Sequence, residues 1–108
     1  MGGVPWTLEE TALLILFDMW GYEHKIISQL LTNRSPVIRQ GIQHQRSISA
    51  VDNKLQLIRN NSNLWSKESG WDLAKVTEHI STFKLDHAQL RQLLTLTKYD
   101  CDGIINTP

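Results

Sequence analysis

Hydrophobic residues recur with helical spacing along most of this chain, and polar clusters with glycine, proline or asparagine separate the hydrophobic segments. Thr7 followed by Glu10 has the pattern of a capping box, which predicts that a first helix begins there. Gly21 is suited to end that helix in a left-handed conformation. Between these signals, one buried face is predicted from residues at i, i+3, i+4 and i+7: Leu13, Leu16, Phe17 and Trp20.

The second hydrophobic segment predicts a helix over about residues 22–31. Residues 32–45 then carry Pro36 among mostly polar side chains, so we expect a long loop there with room for one helical turn. Arg34 and Arg39 lie in this stretch and are expected to be mobile.

A third helix is predicted to begin at Ser47 or Ser49, since either hydroxyl can cap its first turn. The asparagine-rich stretch 60–63 is a breaker cluster that ends it. Three residues one turn apart form its predicted buried stripe: Val51, Leu55 and Ile58.

The C-terminal half predicts a second helical pair. One helix covers about residues 72–82, and the next begins at Asp86, with Gln89 in the third position of its first turn. No alternating pattern indicates a strand, and residues 100–103 are interpreted as a turn. Inward-facing positions are predicted at Leu73, Val76, Ile80, Leu90, Leu93 and Leu94.

Together these signals predict an all-α fold of one compact domain. A three-helix core occupies residues 1–63, and a helical extension over residues 64–108 packs on it. A chain of 108 residues with 41% hydrophobic side chains suits a single core. No hydrophobic run is long enough to predict a membrane span, and Cys101 alone excludes an intrachain disulfide framework.

The formal net charge is zero, but the charges are segregated along the chain. Residues 34–61 hold five basic side chains against one acidic one, a net charge of +4, whereas residues 1–33 sum to −3. Such a basic segment inside a neutral chain indicates an anionic partner.

The order of these signals resembles the Myb/SANT-like helix-turn-helix domains. That family has a tryptophan with a Thr-x-Glu-Glu start, a glycine, a hydrophobic second-helix block, and an Arg-Ser or Arg-Thr opening of helix 3. The resemblance covers about residues 5–60. The matching residues are Trp6, Thr7, Glu9, Glu10, Gly21, Ile27, Leu30, Leu31, Arg46, Ser47, Ala50, Val51 and Leu55.

The chain departs from the family pattern at three places. His24 stands where a second tryptophan usually packs, and Asp52 stands where DNA-binding repeats often carry a lysine. The connection before helix 3 is longer than usual, which is similar to divergent fungal Myb-like proteins. This connection contains a second Arg-Ser pair, at Arg34. The sequence therefore allows helix 3 to begin at either the Arg34 pair or the Arg46 pair.

The resemblance implies a nuclear transcription or chromatin factor that inserts helix 3, about residues 47–60, into the major groove of double-stranded DNA. Asn53 and Gln56 can pair with adenine, and basic side chains can hold phosphates. The candidate DNA-binding residues are Arg34, Arg39, Arg46, Ser47, Ser49, Asn53, Lys54, Gln56 and Arg59.

The alternative that we weigh is a SANT-type protein-interaction module in a chromatin complex without direct DNA binding. Asp52, the acidic residues 1–33 and a pI near 6.9 favour it, because isolated DNA-binding domains are often strongly basic. Self-association of the chain is left open.

No other chemistry is indicated. The four histidines lack metal-ligand spacing around Cys101, and residues 100–103 lack the ligands of a calcium loop. Cys101 has no sequence neighbour that predicts a paired base. We therefore expect no metal, no cofactor, no catalytic residue and no enzyme activity.

Overall fold

The computed structural model describes residues 5–61 and 63–105, with the backbone alone for residues 102–105. Over these residues the fold is mainly helical, as the sequence predicts, and it includes one small sheet. No helix in the described part is long and apolar enough to cross a membrane. The elements are α1 (Leu8–Met19), α2 (His24–Ile38), α3 (Ile48–Asn61), β1 (Trp65–Ser66), β2 (Gly70–Trp71), α4 (Leu73–Ser81), α5 (His87–Leu94) and α6 (Lys98–Ile105).

The predicted start and end of α1 are confirmed. The Thr7 hydroxyl accepts a hydrogen bond from the Glu10 backbone N–H at 3.0 Å, and the Thr7 N–H donates to the Glu10 carboxylate at 3.0 Å. Gly21 follows the helix with a φ of 87°. The N–H of Tyr22 then donates to the carbonyl of Phe17 at 3.1 Å, which closes a Schellman motif.

Helix α1 is the central element, because it is buried on more than one side. Leu14 packs in a core shared with α2, α3 and α5, whereas Ile15 packs in a second core with Leu64 and Val76. The prediction of a single buried face is therefore wrong. Trp20, predicted to be buried, is 49% exposed, and it meets the ring of Phe17 edge-on.

Helix α2 is longer than predicted, since it continues through Pro36 to Ile38. A proline inside a helix removes the hydrogen bond to the carbonyl four residues earlier, here that of Thr32. The Ser35 hydroxyl donates to that carbonyl instead, at 2.7 Å. The expected loop over 32–45 is thereby shortened to residues 39–47.

A stripe of hydroxyls on α2 holds the connection that follows. The Ser35 hydroxyl accepts from the backbone N–H of His44 at 2.8 Å, and the Thr32 hydroxyl accepts from that of Arg46 at 3.1 Å. Ser28 donates to the carbonyl of Arg46. Since this connection ends at Ser47, α3 opens at the Arg46 pair and not at the Arg34 pair, which lies inside α2.

The C-terminal region contains two elements that the sequence analysis missed. Trp65 pairs with Trp71 in an antiparallel two-stranded sheet, although no strand was predicted. Residues 100–103, interpreted as a turn, belong to α6. The predicted cap at Asp86 is confirmed, since its side chain accepts from the Gln89 N–H at 3.0 Å. Asp72 caps α4 in the same way, by accepting from the Lys75 N–H at 3.0 Å.

Candidate recognition surface

One exposed face of α3 consists of uncharged polar side chains, and the exposed Asp52 borders it. Its residues are spaced i, i+4, i+7 and i+11, which places them on one side of the helix. They lie opposite the buried Val51 and Leu55, and Leu57 flanks them with 59% of its surface exposed. We call this surface the amide face, and it consists of the exposed residues Ser49, Asn53, Gln56 and Asn60.

The arginines of the same chain segment turn the other way, toward carboxylates of the chain itself. Glu10 of α1 is fully buried, and Arg46 binds it with two hydrogen bonds, from Nε at 2.9 Å and from Nη2 at 3.0 Å. Arg39 donates to the same carboxylate at 2.6 Å. Both guanidinium groups also donate to the carbonyl of Pro5, at 2.9 and 3.0 Å.

The environment of Glu10 keeps its carboxylate ionised. Burial alone would raise the pKa of Glu10, but the hydrogen bonds from Arg46 and from the Thr7 backbone, with the charge of Arg39, hold the pKa below its usual value. The guanidinium carbon of Arg46 lies 4.3 Å from the centre of the Trp6 ring. Arg46 is thus enclosed between an aromatic ring and a carboxylate, and only 4% of it is exposed.

Arg34 forms a second internal pair, with Asp100 of α6. Its two Nη atoms donate to the two carboxylate oxygens at 2.9 and 2.7 Å, and it also donates to the carbonyls of Leu93 and Thr95. Burial would raise the pKa of Asp100, yet the bonds from Arg34, Thr97 and Asn33 lower it to about 2. The expected mobility of Arg34 is wrong, because this residue fastens α5 and α6 to α2.

Asp18 of α1 organises a third cluster beneath the end of α3. Arg59 donates to its carboxylate, and the indole N–H of Trp71 donates to the same oxygen at 2.8 Å. His24 bridges Asp18, at 3.1 Å, and Asp52. The two departures at His24 and Asp52 thus explain each other, because the aspartate is the hydrogen-bond partner of the histidine.

The structure therefore places the nine predicted DNA-binding residues in different surroundings. Ser49, Asn53 and Gln56 come together on the amide face, and Ser47 caps α3 by accepting from the Ala50 N–H at 3.1 Å. Lys54 is half-buried, with its ammonium 6.0 Å from the Trp6 ring. The other four bind carboxylates of the chain and do not form a cationic surface beside Asn53: Arg34, Arg39, Arg46 and Arg59.

The sequence analysis did not identify the three carboxylates that neutralise this segment. Glu10 was recognised as a capping residue and a match to the family pattern, Asp18 only as a charge, and Asp100 as part of a turn. One signal was available for Asp18, since it stands between the hydrophobic Phe17 and Met19 within the predicted first helix. Nothing in the local sequence connects Asp100 with Arg34, which is 66 positions away.

No protein-family model matches this chain, and comparisons with curated proteins and with solved structures find no similar protein. Within the described residues, no three His, Cys, Asp or Glu side chains are grouped so that they could hold a metal ion.

Proposed function

We propose that this chain is a protein-interaction module of the Myb/SANT-like type, which binds its partner through the amide face of α3. The partner is a transcription or chromatin protein in the nucleus, as the resemblance implies. The observation that carries the proposal is the direction of the charges. Arginines of residues 34–61 bind Glu10, Asp18 and Asp100, so the uncharged amide face is bordered by the exposed Asp52 and not by these arginines.

Binding to DNA depends strongly on cations that neutralise phosphates. On α3, Asp52 is exposed, Arg59 is bound to Asp18, and Lys54 is half-buried beside Trp6. Binding to a protein does not require such cations, because amides and hydroxyls form hydrogen bonds with the backbone and polar side chains of a partner. Leu57 adds an apolar contact. Protein recognition therefore fits this face better than phosphate recognition.

Double-stranded DNA is the second candidate, and the amide side chains favour it. Asn53 and Gln56 are exposed one turn apart, as side chains that read adenine must be. If this candidate holds, few phosphates are neutralised, so the log–log salt slope is shallow, at about −0.9 for each phosphate.

Site-specific photocrosslinking tests the proposal. A photoreactive amino acid replaces Gln56 on the amide face, and in a matched control it replaces Lys67 in the exposed hairpin turn. We expect protein adducts from nuclear extract with the first variant and not with the second. Adducts to DNA alone, or equal adducts from both positions, would contradict the proposal.

Substitution of Asp52 separates the two candidates. Asp52→Lys adds a cation to the exposed side of α3, so it tightens DNA binding on the second candidate and weakens a protein complex on the first. Asp52→Asn is the control, because it keeps an oxygen for His24 and removes only the charge. Gel shifts with random-sequence duplexes at low salt and pull-downs with the crosslinked partner give the two measurements.

A further inference from the structure

A groove on a different side of the molecule has a hydrophobic floor. It lies where α4 and α5 meet the outer side of α1, and its volume is about 420 Å³. The floor consists of aliphatic side chains that are each half-buried: Leu16, Ile80, Leu85, Leu90 and Leu94. Such a floor removes apolar surface of a bound ligand from water, which is the main source of affinity in grooves of this kind.

The rim of this groove is polar and carries two cations, Lys84 and Arg91. Lys84, His87 and Arg91 line it, all three are exposed, and no acidic side chain is among the lining residues. Lys84 and Arg91 have no carboxylate within salt-bridge distance in the part of the chain that the structure describes. The nearby Asp86 caps α5. The rim therefore presents positive charge to a ligand, whereas the arginines of residues 34–61 bind carboxylates of the chain itself.

The arrangement of these polar side chains indicates what kind of ligand fits. His87 and Arg91 are four positions apart on α5, so they lie one above the other along one edge of the groove. Lys84 extends the row into the connection before α5. Two cations and an imidazole N–H donor in one row beside a hydrophobic floor match an amphipathic helix with acidic residues along one side, whereas a single carboxylate on an alkyl chain would need only one cation.

We propose that the groove between α4 and α5 binds an acidic amphipathic helix of a partner protein. Aliphatic side chains of that helix occupy the floor, and its carboxylates lie along Lys84, His87 and Arg91. This surface is separate from the amide face of α3, so the proposal stands or falls independently of the function proposed above.

Peptide selection tests this inference directly. Random peptides of about 15 residues, long enough for four helical turns, are selected on the wild-type chain. We expect enriched sequences with aliphatic residues at i, i+3, i+4 and i+7 and with acidic residues beside them. Selection of basic sequences, or of none, would overturn the proposal.

Charge reversal then locates the binding site. Lys84→Glu combined with Arg91→Glu should weaken the selected peptide about tenfold and favour its Glu→Lys analogue. Lys67→Glu with Lys75→Glu makes the same change in net charge outside the groove and should leave affinity unchanged. Both pairs lie on exposed positions, and circular dichroism checks that the variants fold.

NMR mapping completes the test. The selected peptide should shift the backbone amide signals of Leu85, Leu90 and Arg91, and Gln56→Ala on the amide face should not alter its affinity. Shifts confined to α3 would overturn the proposal. So would tighter binding of sodium decanoate than of every selected peptide, because the groove would then be a site for anionic amphiphiles.

Discussion

Two polar regions arise from the same stretch of chain, residues 34–61, and they differ in charge and direction. The arginines point inward to buried carboxylates, whereas the amide face of α3 points outward and carries no charge. The contrast teaches that a basic segment in a sequence is not a basic surface. The basic residues predicted an anionic partner. In the structure, the anions that their arginines bind are carboxylates of the same chain: Glu10, Asp18 and Asp100.

The largest effect is expected from Arg46→Met. This change leaves Glu10 buried with Arg39 as its only arginine, and removing one partner of a buried ion pair costs about 3 kcal/mol or more. Urea denaturation monitored by circular dichroism measures the loss. Lys54→Met is the control, since Lys54 also lies beside Trp6 but is only half-buried. Equally small losses of stability in both variants would contradict the claim that the buried Arg46 stabilises the fold and the half-buried Lys54 does not.

Acid should destabilise the fold through Asp100. Its pKa in the folded chain is about 2, against 3.8 in the unfolded chain, so the stabilisation of about 2 kcal/mol is present above pH 4. It is lost as the pH falls through the folded-state pKa. Denaturation curves measured from about pH 2 to about pH 7 should show the loss, and Asp100→Asn should flatten it. An unchanged slope in that variant would assign the acid sensitivity elsewhere.

A smaller effect is expected from Arg39→Gln. Arg39 shares Glu10 with Arg46 and has 17% of its side chain exposed, so the carboxylate keeps its bidentate partner after the change. We expect a loss of about 1 kcal/mol in the free energy of unfolding. A loss as large as that of Arg46→Met would mean that the two arginines act as one unit.

The smallest effect on stability is expected on the amide face. Asn53→Ala and Gln56→Ala remove exposed side chains that stabilise no other element, so the free energy of unfolding should change by less than about 0.5 kcal/mol. The same variants should weaken binding of the crosslinked partner. A marked loss of stability would mean that Asn53 and Gln56 stabilise the fold, as the inward-pointing arginines do.

Local signals in the sequence were enough to predict the helical class, the caps at Thr7 and Asp86, and the end of α1 at Gly21. They were not enough wherever a distant residue decides the outcome. Pro36 remains helical because Ser35 replaces the missing hydrogen bond, and the burial of the arginines depends on carboxylates from other helices. For the candidate surface, the exposure of the amide side chains was predicted. The binding of the arginines to carboxylates of the chain, which removes them from this surface, was not predicted.

The most direct test of the central claim is an NMR spectrum of the arginine side chains. The Nε–H groups of Arg34 and Arg46 donate to buried acceptors, so they should exchange slowly with water, whereas that of the exposed Arg91 should exchange fast. Addition of duplex DNA at low salt should leave the signals of Arg34 and Arg46 in place. Rapid exchange at these two residues, with shifts on DNA addition, would contradict the account.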